Sequence, residues 1–226
     1  VARVCYPAMR ATRNALLRFK GVQKIRNLKL DPNEPLFKCI FGEGWETLPT
    51  VMKNHYAVRP FSDDVVKVEG HLDVKISPLV SFMARLSGAL LAYSGENIPV
   101  TVVFKSDKSG SFHFDRVFHF PEKGDIHFRS RMEWIKDNLL VEFMRFGIGW
   151  KLAYEWDGEK VTLRHKGYVW RVLGVMIPVP MALVLGAGHA EETPVSDSTF
   201  SMWTHAKHPF FGKGFAHAGD FKVTEV

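Results

Sequence analysis

The sequence predicts an α+β protein that is mostly β, with about nine antiparallel strands in a strongly curved meander or barrel-like sheet. Apolar and polar residues alternate along most of the chain after residue 65, short turn-like segments separate the alternating stretches, and helical patterns lie near the N-terminal side. The connections are too short for parallel crossovers. A flat sheet of this size would expose long edges, so we expect curvature or closure.

Composition places the chain among ordinary globular proteins. Its 226 residues are 46% hydrophobic and 24% charged, which suffices for a full core without disulfides or a structural metal. Cys5 and Cys39 form no spacing pattern that would indicate a disulfide framework or a zinc site. There is no secretory signal and no apolar run long enough to span a membrane. We therefore expect a cytoplasmic protein with no transmembrane segment.

The net charge of +6 is confined to one end of the chain. Residues 1–30 contain eight basic residues and no acid, so the rest of the chain is slightly acidic. We expect residues 1–30 to be a basic tail that is disordered or outside the domain, and residues 31–226 to form a single domain. Because the charge is not a property of the domain, we infer no nucleic-acid binding from it.

Helices are predicted before and after the first strand. Residues 36–41 and 45–56 are typical of two short helices, and residues 66–76 alternate with a period of two. Ser77 and Pro78 then form an N-cap and a first helical position. The helix that follows has an apolar face made of Leu79, Phe82, Met83, Leu86 and Leu90.

Strands account for most of the remaining chain. The connection Asp157-Gly158 is among the stronger hairpin signals. Residues 179–185 interrupt the alternation as one helical turn. The pattern does not distinguish a ligand-binding barrel from a helix-grip fold. The predicted strands are residues 98–106, 111–120, 125–134, 138–146, 148–156, 160–170, 197–206 and 215–225.

Polar residues on the apolar faces of these strands are the candidates for a site. Arg116 shares its face with four phenylalanines, and a guanidinium there needs a carboxylate, a ligand anion or several carbonyls. Strand 138–146 is ambiguous, because either Glu142 lies inside with Leu140 or Arg145 lies inside with Val141. If the sheet is curled, the polar residues that converge inside it are Arg116, Ser130, Glu142, His165 and His217.

Several segments together resemble a known family. Their order and spacing, from about Leu36 to the end of the chain, are similar to those of a bacterial family called domain of unknown function 4166. The resemblance implies a domain that occurs alone or attached to dehydrogenase-like partners, with no established activity. One position departs from the family pattern, since His217-Ala218-Gly219 stands where an aromatic residue precedes a glycine. The segments are Phe114–Phe118, Phe128–Arg131, Leu139–Glu142, Leu173–Pro180 and His208–Gly212.

Three hypotheses for function follow. The first is a domain that binds an amphipathic or acyl-type small molecule in an apolar cavity, without a cofactor. Arg116 would anchor the ligand's acidic group, although an ion pair with Glu142 is an equal alternative. The second is an enzyme in the same cavity with Glu142 or His165 as general base. The third is an interaction module that docks on an oxidoreductase. The histidines near the C-terminus match no tight metal site, so we expect no metal.

Overall fold

The computed structural model describes residues 30–88, 90–106, 108–210 and 212–226, together with Leu16 and Phe19. The predicted tail, residues 1–30, lies outside these residues apart from Leu16, Phe19 and Leu30. From Leu30 onward the described chain forms an 11-stranded antiparallel sheet with short helices packed at its ends. The prediction of a mostly β, curved antiparallel fold is confirmed.

The helices are short and the strands are long. The α-helices are α1 (Leu36–Phe41), α2 (Gly44–Thr47), α3 (Thr50–His55), α4 (Pro78–Ser87) and α5 (Ala182–Leu185), and Arg145–Gly147 forms a 3-10 turn. The strands are β1 (Val65–Ile76), β2 (Gly95–Ser106), β3 (Ser111–Phe120), β4 (Gly124–Lys136), β5 (Leu139–Phe143), β6 (Ile148–Trp156), β7 (Val161–Val172), β8 (Val175–Val179), β9 (Ala187–Pro194), β10 (Thr199–His208) and β11 (Gly212–Glu225).

The described strands close into a ten-stranded barrel with one strand added outside the ring. The order is β6-β5-β4-β3-β2-β1-β11-β10-β9-β7, and β6 pairs with β7 to close the ring. Along its other edge, β7 pairs first with β9 through residues 161–164 and then with β8 through residues 168–172. Gly167 lies between these two stretches with a φ of +104°, a conformation that favours glycine. The bend there lets one strand serve two partners.

Strands β8 and β9 are additions to the nine predicted strands. They flank α5, in a region where the sequence predicts only a helical turn at residues 179–185. Strand β8 contains Pro178, and β9 contains Gly188 and two glutamates, all of which lower intrinsic strand propensity. These strands form because long edges of β7 and β10 are available for pairing.

The predicted strand 138–146 ends earlier than expected, and the structure shows which of its faces points into the barrel. Strand β5 stops at Phe143, and Phe146 follows in the 3-10 turn with a φ of +61°. Glu142 lies on the cavity side, whereas Val141 and Phe143 belong to a separate apolar cluster that also contains Val169. Glu142 is therefore the polar residue of this strand that points inside.

Helices α1–α3 close one end of the barrel, which we call the lower end. Phe37, Met52 and Tyr56 are fully buried there. The ring of Phe37 lies 4.4 Å from that of Tyr56 and 5.5 Å from that of Phe112. The predicted helix 45–56 is divided in two, because Pro49 precedes α3 and the chain before it is extended at Leu48.

The opposite end, which we call the upper end, carries α4, α5 and the 145–147 turn. The predicted cap of α4 is present, since the Ser77 Oγ accepts a hydrogen bond from the Val80 amide at 3.4 Å. The helix packs, however, through Val80 and Ala84, and it leaves Phe82 and Leu86 in solvent. Of the apolar face predicted from the sequence, Leu79, Phe82 and Leu86 therefore point outward, whereas Met83 and Leu90 are half-buried.

Candidate functional site

The barrel encloses a cavity of about 140 Å³. This is close to the roughly 150 Å³ of apolar cavities that admit a benzene ring, and smaller than the roughly 300–1,000 Å³ of typical ligand pockets. Apolar residues form most of the wall, and phenylalanine and leucine are the most frequent of them. The polar and charged residues of the wall are His55, Arg116, Glu142, Trp150, Tyr154, Tyr168, Glu192, Thr204 and His217.

Arg116 extends from β3 into this apolar wall and forms an ion pair there. Its Nη2 donates to Oε1 of Glu142 at 2.8 Å, and its side chain is 17% exposed. The guanidinium carbon lies 3.7 Å from the ring centroid of Phe114 and 5.0 Å from that of Phe128. The pair thus balances two buried charges, and the aromatic faces stabilise the cation further.

Ser130 is buried between the two members of this pair. Its hydroxyl donates to Oε1 of Glu142 at 2.7 Å, and Nη1 of Arg116 lies 3.4 Å from its Oγ. One carboxylate oxygen therefore accepts two hydrogen bonds. No imidazole of the described residues bonds to Ser130. The arrangement fixes the position of Glu142 and gives the serine no general base of the histidine type.

His217 lies on the cavity wall from β11 and differs from the residues above. Within the described chain its ring nitrogens make no hydrogen bond, and its only ring contact is with Phe215, at 6.0 Å between centroids. Burial, together with the positive charge of Arg116, lowers the pKa of His217 to about 3. The imidazole is therefore neutral near pH 7, with one donor and one acceptor directed into an apolar space.

His165 stands apart from this group. Its Nδ1 accepts a hydrogen bond from the indole of Trp150 at 2.7 Å, and burial lowers its pKa. It is not among the cavity-lining residues, although Leu163 and Tyr168 of the same strand are. The extra residue of the bulge in β7 lies after His165, so His165 still lies opposite the buried Leu152, and its ring is 5.0 Å from that of Tyr168. The structure thus brings together Arg116, Ser130, Glu142 and His217.

A second polar group lies nearer the lower end and was not predicted from the sequence. The hydroxyl of Tyr56 donates to Oε2 of Glu192, and Nε2 of His55 lies 3.6 Å from the same oxygen. Burial and the neighbouring carboxylate raise the pKa of Tyr56 well above its usual value, so its hydroxyl stays protonated. Nδ1 of His55 is buried and has no partner in the described part of the chain.

Of the residues in this second polar group, only Glu192 has a sequence pattern that indicates an inward position. Gly188, Ala190 and Glu192 alternate with more polar neighbours, and this pattern would have placed Glu192 inside had β9 been recognised as a strand. His55 and Tyr56 lie at the end of a helix with no distinguishing motif. Their role depends on packing against β9 and β10, which are distant in sequence.

The described residues contain neither a cluster of metal ligands nor a membrane-spanning helix. No group of three or more histidine, cysteine or acidic side chains among them is arranged to hold a metal ion. No helix in the described ranges is long and apolar enough to cross a membrane.

Comparisons with known proteins identify a family. The model of the family described as "Domain of unknown function (DUF4166)" matches residues 48–221, which include the described barrel up to Phe221. No curated protein matches the chain.

Solved structures with a similar fold are distant. Rv2717c from M. tuberculosis is 13% identical, with 70% of this chain and 91% of that chain covered and a TM-score of 0.42. The fluorescent protein UnaG, as its N57A mutant, is 12% identical, with coverages of 74% and 98% and a TM-score of 0.32. The dehydratase domain of the polyketide PpsC from Mycobacterium tuberculosis is 6% identical, with coverages of 82% and 84% and a TM-score of 0.18.

Proposed function

This chain belongs to the DUF4166 family, and because that family is described only as a domain of unknown function, we propose a function from the chemistry of the barrel interior. The protein binds an amphipathic, acyl-type small molecule inside the barrel. The polar end of the ligand bonds to Arg116 and His217, and its apolar part occupies the aromatic and aliphatic wall.

The unpartnered imidazole of His217 carries this proposal. A polar group that is removed from water without a hydrogen bond is destabilising. His217 faces a cavity and makes no hydrogen bond within the described chain, and Arg116 is close enough for its charge to lower the pKa of His217. A ligand oxygen between the two side chains would satisfy the imidazole and would fill the apolar space around it.

The charge of the interior limits the polar end of the ligand. Glu142 already balances the charge of Arg116, and Glu192 adds a second carboxylate to the wall. A further anion would be repelled by both. The guanidinium still has more N–H donors than its contacts with Glu142 and Ser130 use. The best fit is therefore an uncharged group that accepts hydrogen bonds, such as the carbonyl of an acyl ester or amide.

The wall can adapt to a ligand larger than the cavity. Met132, Met144 and Met202 line it, and methionine side chains change rotamer at little cost. Leu90 and Leu185 line the cavity from the upper end, where neither is fully buried. A long acyl tail would extend in that direction, because α1–α3 close the other end.

Native mass spectrometry of the freshly purified protein tests the proposal. We expect a bound amphipathic molecule, to be identified after denaturation, or a mass shift of one ligand after incubation with methyl dodecanoate or 1-dodecanol. A protein that carries no ligand and takes up neither probe would contradict the proposal.

A pair of substitutions separates anchoring of the ligand from folding. Arg116→Met alone should destabilise the protein by about 3–5 kcal/mol, because it leaves the buried Glu142 without its partner. Arg116→Met combined with Glu142→Met removes both charges and should recover most of this loss. The double variant should still bind the probe at least about tenfold more weakly, a difference of about 1.4 kcal/mol. Binding at the wild-type affinity would exclude Arg116 as the anchor.

A further inference from the structure

Large apolar side chains are exposed at the upper end of the barrel. Helix α4 presents Phe82 and Leu86 with 66% and 80% of their surface exposed, and Phe146 in the 3-10 turn is 66% exposed. Leu173, in the β7–β8 turn, and Phe210, between β10 and β11, are 87% and 82% exposed. Isolated apolar residues are common on protein surfaces, but a concentration of them indicates an interaction site.

Hydrogen bonds hold the segments that carry these residues together. The indole of Trp170 donates to the carbonyl of Phe146 at 2.9 Å, which ties β7 to the 3-10 turn. Arg145 of that turn lies 3.2 Å from the carbonyl of Gly88 at the end of α4. Further hydrogen bonds tie α5 to the end of β10 and the start of α4 to β11. The exposed side chains therefore belong to one surface around the mouth of the cavity.

The charge of this surface is positive. Acidic residues here include Glu122 and Asp125 in and beside the β3–β4 turn, Glu96 at the start of β2, and Asp73 of β1, whose carboxylate accepts a hydrogen bond from the Asn97 amide. Several basic residues at this end form no ion pair with an acid of the described chain. They are Arg85, Arg145, Lys207 and Lys213. The segments of this end that contain no acid are residues 77–95, 143–150, 168–189 and 205–215.

We propose that the upper end of the barrel docks on the surface of an anionic lipid bilayer. The exposed apolar residues stand at the tips of separate turns and along one helix, so each can enter the boundary between headgroups and acyl chains. The basic residues then lie beside the negatively charged headgroups. A protein partner that fits a groove is favoured less, because these side chains project outward.

Docking in this orientation turns the mouth of the cavity toward the lipid. Leu90, Met144 and Leu185 line the cavity near this end, and the exposed residues surround them. An amphipathic ligand could then pass between the bilayer and the barrel without crossing water. This last step rests on the proposed function, whereas docking itself requires no ligand.

Sedimentation of the full chain with lipid vesicles tests the docking. We expect binding to vesicles of equimolar phosphatidylcholine and phosphatidylglycerol, and weaker binding to vesicles of phosphatidylcholine alone. Added salt should weaken binding to the anionic vesicles, because it screens the basic residues. Failure to sediment with either vesicle would overturn the proposal and would assign the surface to a protein partner.

Two matched double variants show which end of the barrel docks. Leu173→Ser with Phe210→Ser removes two exposed tips of the upper end and should lower the partition coefficient about tenfold or more. Phe61 and Val195 lie away from this surface and are 52% and 63% exposed. Phe61→Ser with Val195→Ser should therefore leave the partition coefficient unchanged. Unchanged binding of the first variant would overturn the proposal, because the basic residues 1–30 would then account for it.

Measuring whether the cavity holds a ligand distinguishes a failure of the docking proposal from a failure of the proposed function. Native mass spectrometry of the same preparations reports whether the cavity is occupied. Vesicle binding by a protein that takes up neither fatty probe would support docking and contradict ligand binding. Uptake of a probe by a protein that binds neither kind of vesicle would support ligand binding and contradict docking.

Discussion

The two ends of the barrel use short apolar helices in opposite ways. At the lower end, Phe37 and Met52 point into the barrel and are 2% and 0% exposed. At the upper end, α4 packs through the smaller Val80 and Ala84, and the larger Phe82 and Leu86 remain in solvent. The lower helices complete the core, whereas α4 contributes little burial for its apolar content. This difference indicates that the lower end serves stability and the upper end serves access and binding.

Polar groups of the interior differ in how they are partnered. Near the lower end, Glu192 is held by Tyr56 beneath α1–α3. Farther from that end, His217 faces the cavity without a hydrogen bond in the described chain. A paired polar group contributes to stability, and an unpaired one on the cavity wall, as in His217 and at Nδ1 of His55 within the described chain, is available to a ligand.

The largest contrast is expected between Phe37 and Phe82. Phe37→Ala should lower the free energy of unfolding by about 3–5 kcal/mol, because it leaves a cavity among packed aromatic rings. Phe82→Ala should change it by less than about 0.5 kcal/mol, as for other exposed positions. Urea unfolding of the two variants measures both values. Similar losses would show that α4 is packed in solution and would contradict the division between the two ends.

A smaller effect is expected at the lower polar group. Tyr56→Phe removes the hydroxyl that donates to the buried Glu192, and bonds to charged groups contribute about 1.5–3 kcal/mol. Tyr154→Phe is the matched control, since the hydroxyl of Tyr154 makes no hydrogen bond within the described residues. Urea unfolding should show a clear loss for the first variant and little for the second. An equal loss in both would mean that the hydrogen bond to Glu192 adds no stability.

Much of the fold follows from local patterns. Alternation with a period of two depends on neighbouring residues alone, and it predicted nine of the strands. It also placed Arg116, Ser130 and His217 on inward faces, because no bulge interrupts their strands near them. The cap of α4 at Ser77 is another local feature.

The remaining features depend on contacts between distant residues. Strands β8 and β9 have weak propensity and form only against neighbours already in the sheet. His165 keeps the parity of Leu163, but its Nδ1 is held by the indole of Trp150 on the neighbouring strand, a partner that alternation along β7 does not reveal. The face of α4 was visible in the sequence, but the orientation of that face depends on how closely β11 allows the helix to pack.

His217 offers the most sensitive measure of how dry the interior is toward the upper end. Its pKa falls from 6.5 to about 3 on folding, so the unfolded state binds a proton first as the pH decreases. The free energy of unfolding should therefore decrease below about pH 6.5 by up to about 1.4 kcal/mol per pH unit. His217→Gln should abolish this contribution, so the difference between the two proteins should change by about that amount between about pH 5.5 and 4.5. Parallel curves would mean that water reaches the imidazole through the upper end and that the ring titrates normally. In that case a bound ligand that accepts a hydrogen bond from the ring should restore the pH dependence of the free energy of unfolding only if the ligand excludes that water. The acid stability of the barrel would then depend on whether its open end is occupied.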